Sequence, residues 1–234
     1  MTELPPRRRI RWARSHRLIR SAYPPIDIFE DIADPADWAL IAVAEAKTNP
    51  RVLDQIGKIR LVPPERRVAG PGASYVMSPF VHCSPERPTR FSDGTYGVYY
   101  AGNRFEVALA ETIYHFEAFM ARTDEPAATA DFRELVGPID ARLHDLRHDH
   151  TFQAALDPDD YTAGQALGRQ LRDQEASNGI VYPSVRYAKG QAVALFWPDV
   201  PAIPIQARHL CYRWTGARVD AYLVYGEEDW RPVP

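Results

Sequence analysis

Cysteine is nearly missing: Cys83 and Cys211 are the only two among 234 residues, and they form no CxxC pair. A disulfide framework or a cysteine-built zinc site is therefore not expected. Both read as free thiols in a reducing compartment, the cytoplasm. No run of about 18 apolar residues occurs, so no membrane-spanning helix is expected. The basic N-terminus is not followed by an apolar stretch, which argues against a secretory signal. A GxGxxG after a strand, a GxSxG elbow and an HExxH are all missing. With them go the simplest signatures of a Rossmann unit, a serine hydrolase and a zinc protease. No internal repeat suggests a solenoid.

What the chain does have is proline, 21 residues of it, and an apolar fraction of 45%, enough for a sizeable core. The prolines predict many rigid loops and strand ends. The length fits one domain. Charge is uneven. Residues 1–20 carry seven arginines against Glu3, a net +6, so the remainder holds −9 of a total of −3. An acidic body argues against direct nucleic-acid binding. We read 1–16 as a basic, solvated arm and 17–234 as a single domain, with 31–75 as a helical, insertion-like region. A non-catalytic regulator whose arm contacts nucleic acid is the alternative from another class. The composition leaves a homodimer open.

Along the chain, a short strand is expected from residue 17. A helix follows Asp34-Pro35, with Trp38, Ile41 and Val43 on its buried side and a short helical turn near 51–56 beyond it. YVMSPFVH (75–82) reads as a strand with an irregularity at Pro79. A strand is expected at 96–101, after a turn at Asp93-Gly94. Asn103 is expected to cap a helix over 104–121, and Val107, Ala108, Glu111, Tyr114 and His115 share its inner face. Residues 127–146 read as two short strands broken at Gly137-Pro138. A helix is expected over 159–173 with Leu167 and Leu171 inward, then four strands in succession. This order predicts an α+β fold: a bent mixed or antiparallel sheet with surrounding helices.

Glu111 is the sharpest anomaly. A carboxylate on an alanine-rich helix face must be paired, hydrogen-bonded or set at a cleft, because burying it alone is costly. An ion pair at the helix edge and a working acid in a cleft both fit. Arg90 precedes a glycine turn; it is either a solvated loop residue or a fork for phosphate oxygens. Tyr100 ends a strand and is either a core ring or one that stacks on a ligand, its hydroxyl reaching a ribose. Ser184, just after GIVYP, reads as a hydrogen-bonding group, and Arg186 two residues on points to the same side. His115 lies one turn beyond Glu111 as a supporting partner or a satisfied helix residue. HDLRHDH (144–150) reads as a polar surface loop, and no metal site is expected.

Taken together, RFSDGTYGVYYAGNRFEVALAETIYH and GIVYPSVRYAKG resemble the RES-domain family, named for its Arg, Glu and Ser. Arg90, Tyr100, Glu111 and Ser184 match its pattern, and Arg20 matches a second site arginine. The resemblance implies a fold similar to ADP-ribosyltransferases of the diphtheria-toxin type. It also implies a toxin that cleaves the nicotinamide–ribose bond of NAD, with NAD as substrate and no cofactor. Water, phosphate or a protein would accept the ADP-ribosyl group, and an antitoxin with an Xre-like helix-turn-helix domain would be the partner. The chain departs from arginine-directed transferases, which carry a second acid two residues before the catalytic glutamate; here that residue is Leu109.

Overall fold

A computed structural model describes residues 4–22, 35–38, 40, 43 and 57–234. Eight strands form one sheet: β1 (Arg7–Arg20), β2 (Tyr99–Gly102), β3 (Ala128–Asp145), β4 (Gly179–Pro183), β5 (Gln191–Leu195), β6 (Ile205–Trp214), β7 (Val219–Val224) and β8 (Arg231–Pro232). Among the described residues three full α-helices pack on it: α1 (Ala73–Val81), α2 (Phe105–Met120) and α3 (Thr162–Asp173). The order is β1-β2-β5-β4-β3-β6-β7-β8, and β1 also pairs with β3. Pairing therefore closes through β1, β2, β5, β4 and β3, while β6–β8 extend from β3. Among the described strands only β3 and β4 run parallel, so the fold is α+β with a mostly antiparallel sheet.

Alternation along β4 and β5 places two layers on two faces. Val181, Val193 and Leu195 pack with Val76, Met77 and Phe80 of α1. Ile180, Tyr182, Ala192 and Ala194 pack with Leu167 and Leu171 of α3, as expected for those two leucines. Helix α2 covers the other half of the sheet. Its Phe105, Leu109, Ile113, Phe116 and Met120 meet Phe132, Leu210 and Tyr212. Phe132 and Tyr212 stack at 4.1 Å, and Phe116 meets Phe132 edge-on at 5.6 Å. Emptying such a ring position costs about 3–5 kcal/mol. The four successive strands after α3 are β4–β7. Cys83 and Cys211 are free thiols. Among the described residues no helix is long and apolar enough to cross a membrane.

Several expectations are corrected. The stretch expected as an arm is strand from Arg7 onward, its charge met by a distant acid: Arg9 forms two bonds to Asp140, at 2.6 and 2.9 Å. The segment expected as a strand around Pro79 is helix α1. Its buried positions 73, 76, 77, 80 and 81 follow the helical repeat, and the helix tolerates the bond that Pro79 cannot donate. The strands expected to break at Gly137-Pro138 are one strand, β3. The partner strand bulges there: Trp12 faces Ile139 and Ser15 faces Gly137, so Ala13 and Arg14 stand opposite Pro138. A bulge is where a proline without N–H is accommodated in a sheet.

Asn103 does not cap α2. Its Oδ1 accepts from the Gln191 N–H at 2.9 Å and so ties the helix entrance to β5. Val43 is 61% exposed rather than buried, whereas Trp38 is buried as expected. The proposed cap Asp34, Ile41 and the turn at 51–56 lie outside the described residues. The described end of 31–75 packs Ile59 and Val62 into the core. His144 and Asp145, expected on a surface loop, are buried at the end of β3, where His144 Nδ1 lies 2.8 Å from Ser177 Oγ.

Candidate active site

Arg90 sits in the loop before β2, and α3 forms the bed of that loop. A Cβ at Gly164 would lie 2.4 Å from the Arg90 carbonyl oxygen, and one at Gly168 would lie 2.3 Å from that of Phe91. Gln165 adds a bond to the Thr89 carbonyl at 3.1 Å. Tyr100 pins the same loop: its hydroxyl accepts from the Phe91 N–H at 3.1 Å and donates to Thr89 Oγ1 at 2.9 Å. Burial pushes this phenol up to about 12. The hydroxyl expected to reach a ribose is therefore engaged in holding the Arg90 loop. The Arg90 side chain is buried, donates to the Asp157 carbonyl and lies 4.8 Å from the Tyr161 ring centre.

Glu111 lies one helical turn after Val107, between the face of α2 that meets the sheet and the layer shared with α3. It is half-buried. Burial raises its pKa, and Arg90, Arg186 and a hydrogen bond from Ser184 oppose that rise. The Ser184 bond is long, Oγ to Oε1 at 3.5 Å. Ser184 Oγ also accepts from the N–H groups of Arg186 at 3.4 Å and Tyr187 at 3.1 Å, which folds the loop after β4. With its lone pairs so engaged, the hydroxyl is free to donate its proton toward Glu111.

Arg186 stacks on Tyr114 at 3.4 Å and donates to the Pro158 carbonyl at 2.7 Å. His115 keeps an exposed edge and meets Tyr114 edge-on at 5.3 Å. Desolvation and then the charges of Arg186 and Arg90 lower its pKa. Glu111, Arg90, Tyr100, Ser184, Arg186 and His115 thus share one locality. Arg20 contacts something else: its guanidinium lies 5.6 Å from the ring of Phe116, a residue of the sheet-facing side of α2. Sequence reasoning missed Tyr161 and Tyr182. Tyr182 packs edge-on to Phe91 at 5.1 Å, and its phenol is pushed up by burial and then by the Glu111 charge. It missed the Gly164/Gly168 pair as well, although a four-residue glycine spacing in a helix signals a close approach.

Among the described residues no group of three His, Cys, Asp or Glu side chains could hold a metal. A separate cleft of about 380 Å³ contains none of the site residues, and its Arg9 and Arg66 are already matched by Asp140 and Asp199.

The family model of the RES domain matches residues 64–215, which include every member of this cluster. The uncharacterized protein y4oC of Sinorhizobium fredii (strain NBRC 101917 / NGR234) is 27% identical over 214 residues, covering 92% of this chain and 87% of that protein.

Proposed function

The chain belongs to the RES-domain family, known from toxin–antitoxin systems and NAD-related activity, and from that premise we propose that it is an enzyme that consumes NAD by breaking the nicotinamide–ribose bond. The observation that carries the reading is Glu111: a half-buried carboxylate with a raised pKa, in the field of two guanidiniums yet bound by neither. An ionic lock would have tied it up.

The chemistry suits these groups. The pyridinium of NAD leaves as neutral nicotinamide without being protonated. The C–N bond breaks, its electron pair goes to the ring nitrogen, and positive charge grows on the ribosyl carbon, as in other glycosidic cleavages. Glu111 stabilises that charge as a fixed anion. An oxygen of water or phosphate then bonds to the carbon; from water, the proton passes to solvent. Arg90 and Arg186 hold the pyrophosphate, so that remote binding energy serves the reacting centre. Tyr100 fixes the Arg90 loop and lends its ring to the wall, Ser184 orients Glu111, and His115 lines the rim. NAD is the substrate and no cofactor is required. Arg20, which the resemblance offers as a second site arginine, lies against Phe116 of the helix that carries Glu111 and stays a further candidate for phosphate contact.

The same reading gives an ADP-ribosyltransferase-like fold and a cytoplasmic toxin neutralised by an Xre-like antitoxin. An ADP-ribosyltransferase that modifies a protein target is the second reading, with arginine the acceptor it fits least. Leu109, where a second acid would stand, is 1% exposed and tilts the choice to water or phosphate.

The test is nucleotide chromatography of NAD incubated with purified protein, with and without phosphate. Free nicotinamide without labelled protein is the expected result, and label on protein would mark a transferase instead. Glu111→Gln is expected to lose about 10²–10³-fold in turnover. Intact NAD with the wild type in every buffer, antitoxin removed, would end the enzyme reading. In cells, expression is expected to arrest growth and Arg90→Ala to relieve it.

A further inference from the structure

Many guanidiniums here are matched by carboxylates: Arg9 by Asp140, Arg147 by Asp145, Arg208 by Glu134, Arg213 by Asp220. Arg90 and Arg186 are not. Among the described residues neither has a carboxylate oxygen within 4.0 Å. Each is held instead by a tyrosine face and by a carbonyl of one short segment. Arg90 takes Tyr161 and the Asp157 carbonyl; Arg186 takes Tyr114 and the Pro158 carbonyl.

Two consequences follow. A carbonyl is neutral, so it orients a guanidinium without cancelling its charge, and each fork keeps most of its five N–H donors. One of these, Nε of Arg186, is buried with no partner, a cost that an arriving acceptor would relieve. The two carbonyls also belong to consecutive residues, whose Cα atoms lie about 3.8 Å apart. The forks therefore converge on one stretch of chain.

The sequence builds this stretch to stay put. Asp157 Oδ1 accepts from the N–H groups of Asp159 at 2.8 Å and Asp160 at 2.9 Å. Asp160 Oδ1 accepts from Thr162 N–H at 2.8 Å, at the entrance of α3. These are the self-bonded turns that aspartate favours. They engage the carboxylates with their own backbone, while the carbonyls of Asp157 and Pro158 are taken by the arginines. Tyr161 then opens α3, whose glycines seat the Arg90 loop.

We propose that the Asp157–Tyr161 segment is a positioning wall of the active site, with Tyr161 its key side chain, and that it spaces two guanidiniums that no carboxylate binds directly for a ligand with two linked phosphates. The proposal deepens the NAD reading and rests on it only for the identity of that ligand. A single phosphate engages one fork, whereas a diphosphate engages both.

The experiment is calorimetric titration of the full chain with inorganic pyrophosphate and, separately, inorganic phosphate. Wild type is expected to bind pyrophosphate more tightly. Tyr161→Leu removes the face under Arg90 and is expected to weaken pyrophosphate binding about three- to tenfold. Tyr161→Phe keeps the ring and is expected to restore it. Should the leucine variant fail to fold, Asp157→Ala against Asp157→Asn asks the same question: only alanine loses the Oδ1 acceptor that shapes the segment, and only alanine is expected to weaken binding. Wild type without preference for pyrophosphate, or variants that all bind like wild type, would overturn the proposal.

NAD cleavage measured in parallel separates the two ideas. In Tyr161→Leu, KM for NAD is expected to rise more than kcat falls. Cleavage with an unmoved KM sinks the wall and leaves the NAD reading standing. No cleavage by wild type, with the pyrophosphate pattern intact, does the reverse.

Discussion

Glu134 on β3 and Glu111 on α2 are both acids set among apolar side chains, and they are pushed in opposite directions. Glu134 is the more deeply buried, at 0% exposure. Burial works against its ionisation, but bonds from His16 and Arg208 outweigh it and hold the carboxyl down at about 2. Arg208 Nε and His16 Nδ1 each lie 2.6 Å from a Glu134 oxygen. Glu111 keeps part of its surface exposed but is closely surrounded by neighbouring atoms, and there burial outweighs the opposing charges and its pKa rises. Their partner sets also differ: a full one makes Glu134 a structural tie across β1, β3 and β6, and a partial one leaves Glu111 without a direct ionic partner among the described residues, as the proposed enzyme requires. A perturbed acid marks a site when the perturbation is unsatisfied.

The largest test of the contrast exchanges each acid for glutamine. Glu111→Gln is expected to collapse turnover while leaving the fold intact. Glu134→Gln is expected to do the reverse. It strands Arg208 and His16 and removes a linkage of about 3 kcal/mol, given a shift from 4.5 to about 2. For a chain of this size that lowers Tm by roughly 6–12 °C, read by thermal melts, with activity per folded molecule retained.

A second test uses pH, and the two signs differ. Glu134 has a depressed pKa, so its stabilisation is present above pH 4.5 and is lost as pH falls toward about 2. Glu111 has a raised pKa, so its ionised form costs stability at neutral pH and that cost disappears as pH falls below its folded pKa. In urea titrations Glu111→Gln is expected to be slightly more stable than wild type at pH 7 and equal to it near pH 4. The deficit of Glu134→Gln is expected to shrink only below pH 4.5. In the proposed enzyme the acid limb of kcat/KM belongs to Glu111. It lies above the ordinary glutamate value and vanishes in the glutamine variant.

The contrast was half legible in the sequence. Glu111 stood out because a carboxylate among alanines on a periodic helix is locally odd, and Ser184 and Arg186 because their strand ends so abruptly. Glu134, in RELVG, carries no local signal; its partners lie 118 and 74 residues away. Tyr161 was hidden for the same reason, since its meaning comes from Arg90. The fold divides similarly. Helices α2 and α3 and strands β4–β7 follow strong local periods. Helix α1 was misread because Pro79 masked a helical repeat that its buried residues obey, and β3 because the bulge that accommodates Pro138 belongs to β1, more than a hundred residues earlier.

The smallest expected effect sharpens the contrast most finely, because it touches the one side-chain hydrogen bond Glu111 makes among the described residues. Ser184→Ala removes the hydroxyl that lies 3.5 Å from Glu111 Oε1 and accepts two N–H groups of its own loop. A bond to the charged form favours that form, so its loss raises the Glu111 pKa further. The acid limb of kcat/KM is expected to move to higher pH. The bond is long, so the effect is of order 1 kcal/mol, a shift of less than about one pH unit. The activity lost near neutral pH is then expected to return at higher pH. A loss that alkali does not restore would mean that Ser184 holds the loop and not the acid, and Glu111 would owe its state to burial and the two guanidiniums alone.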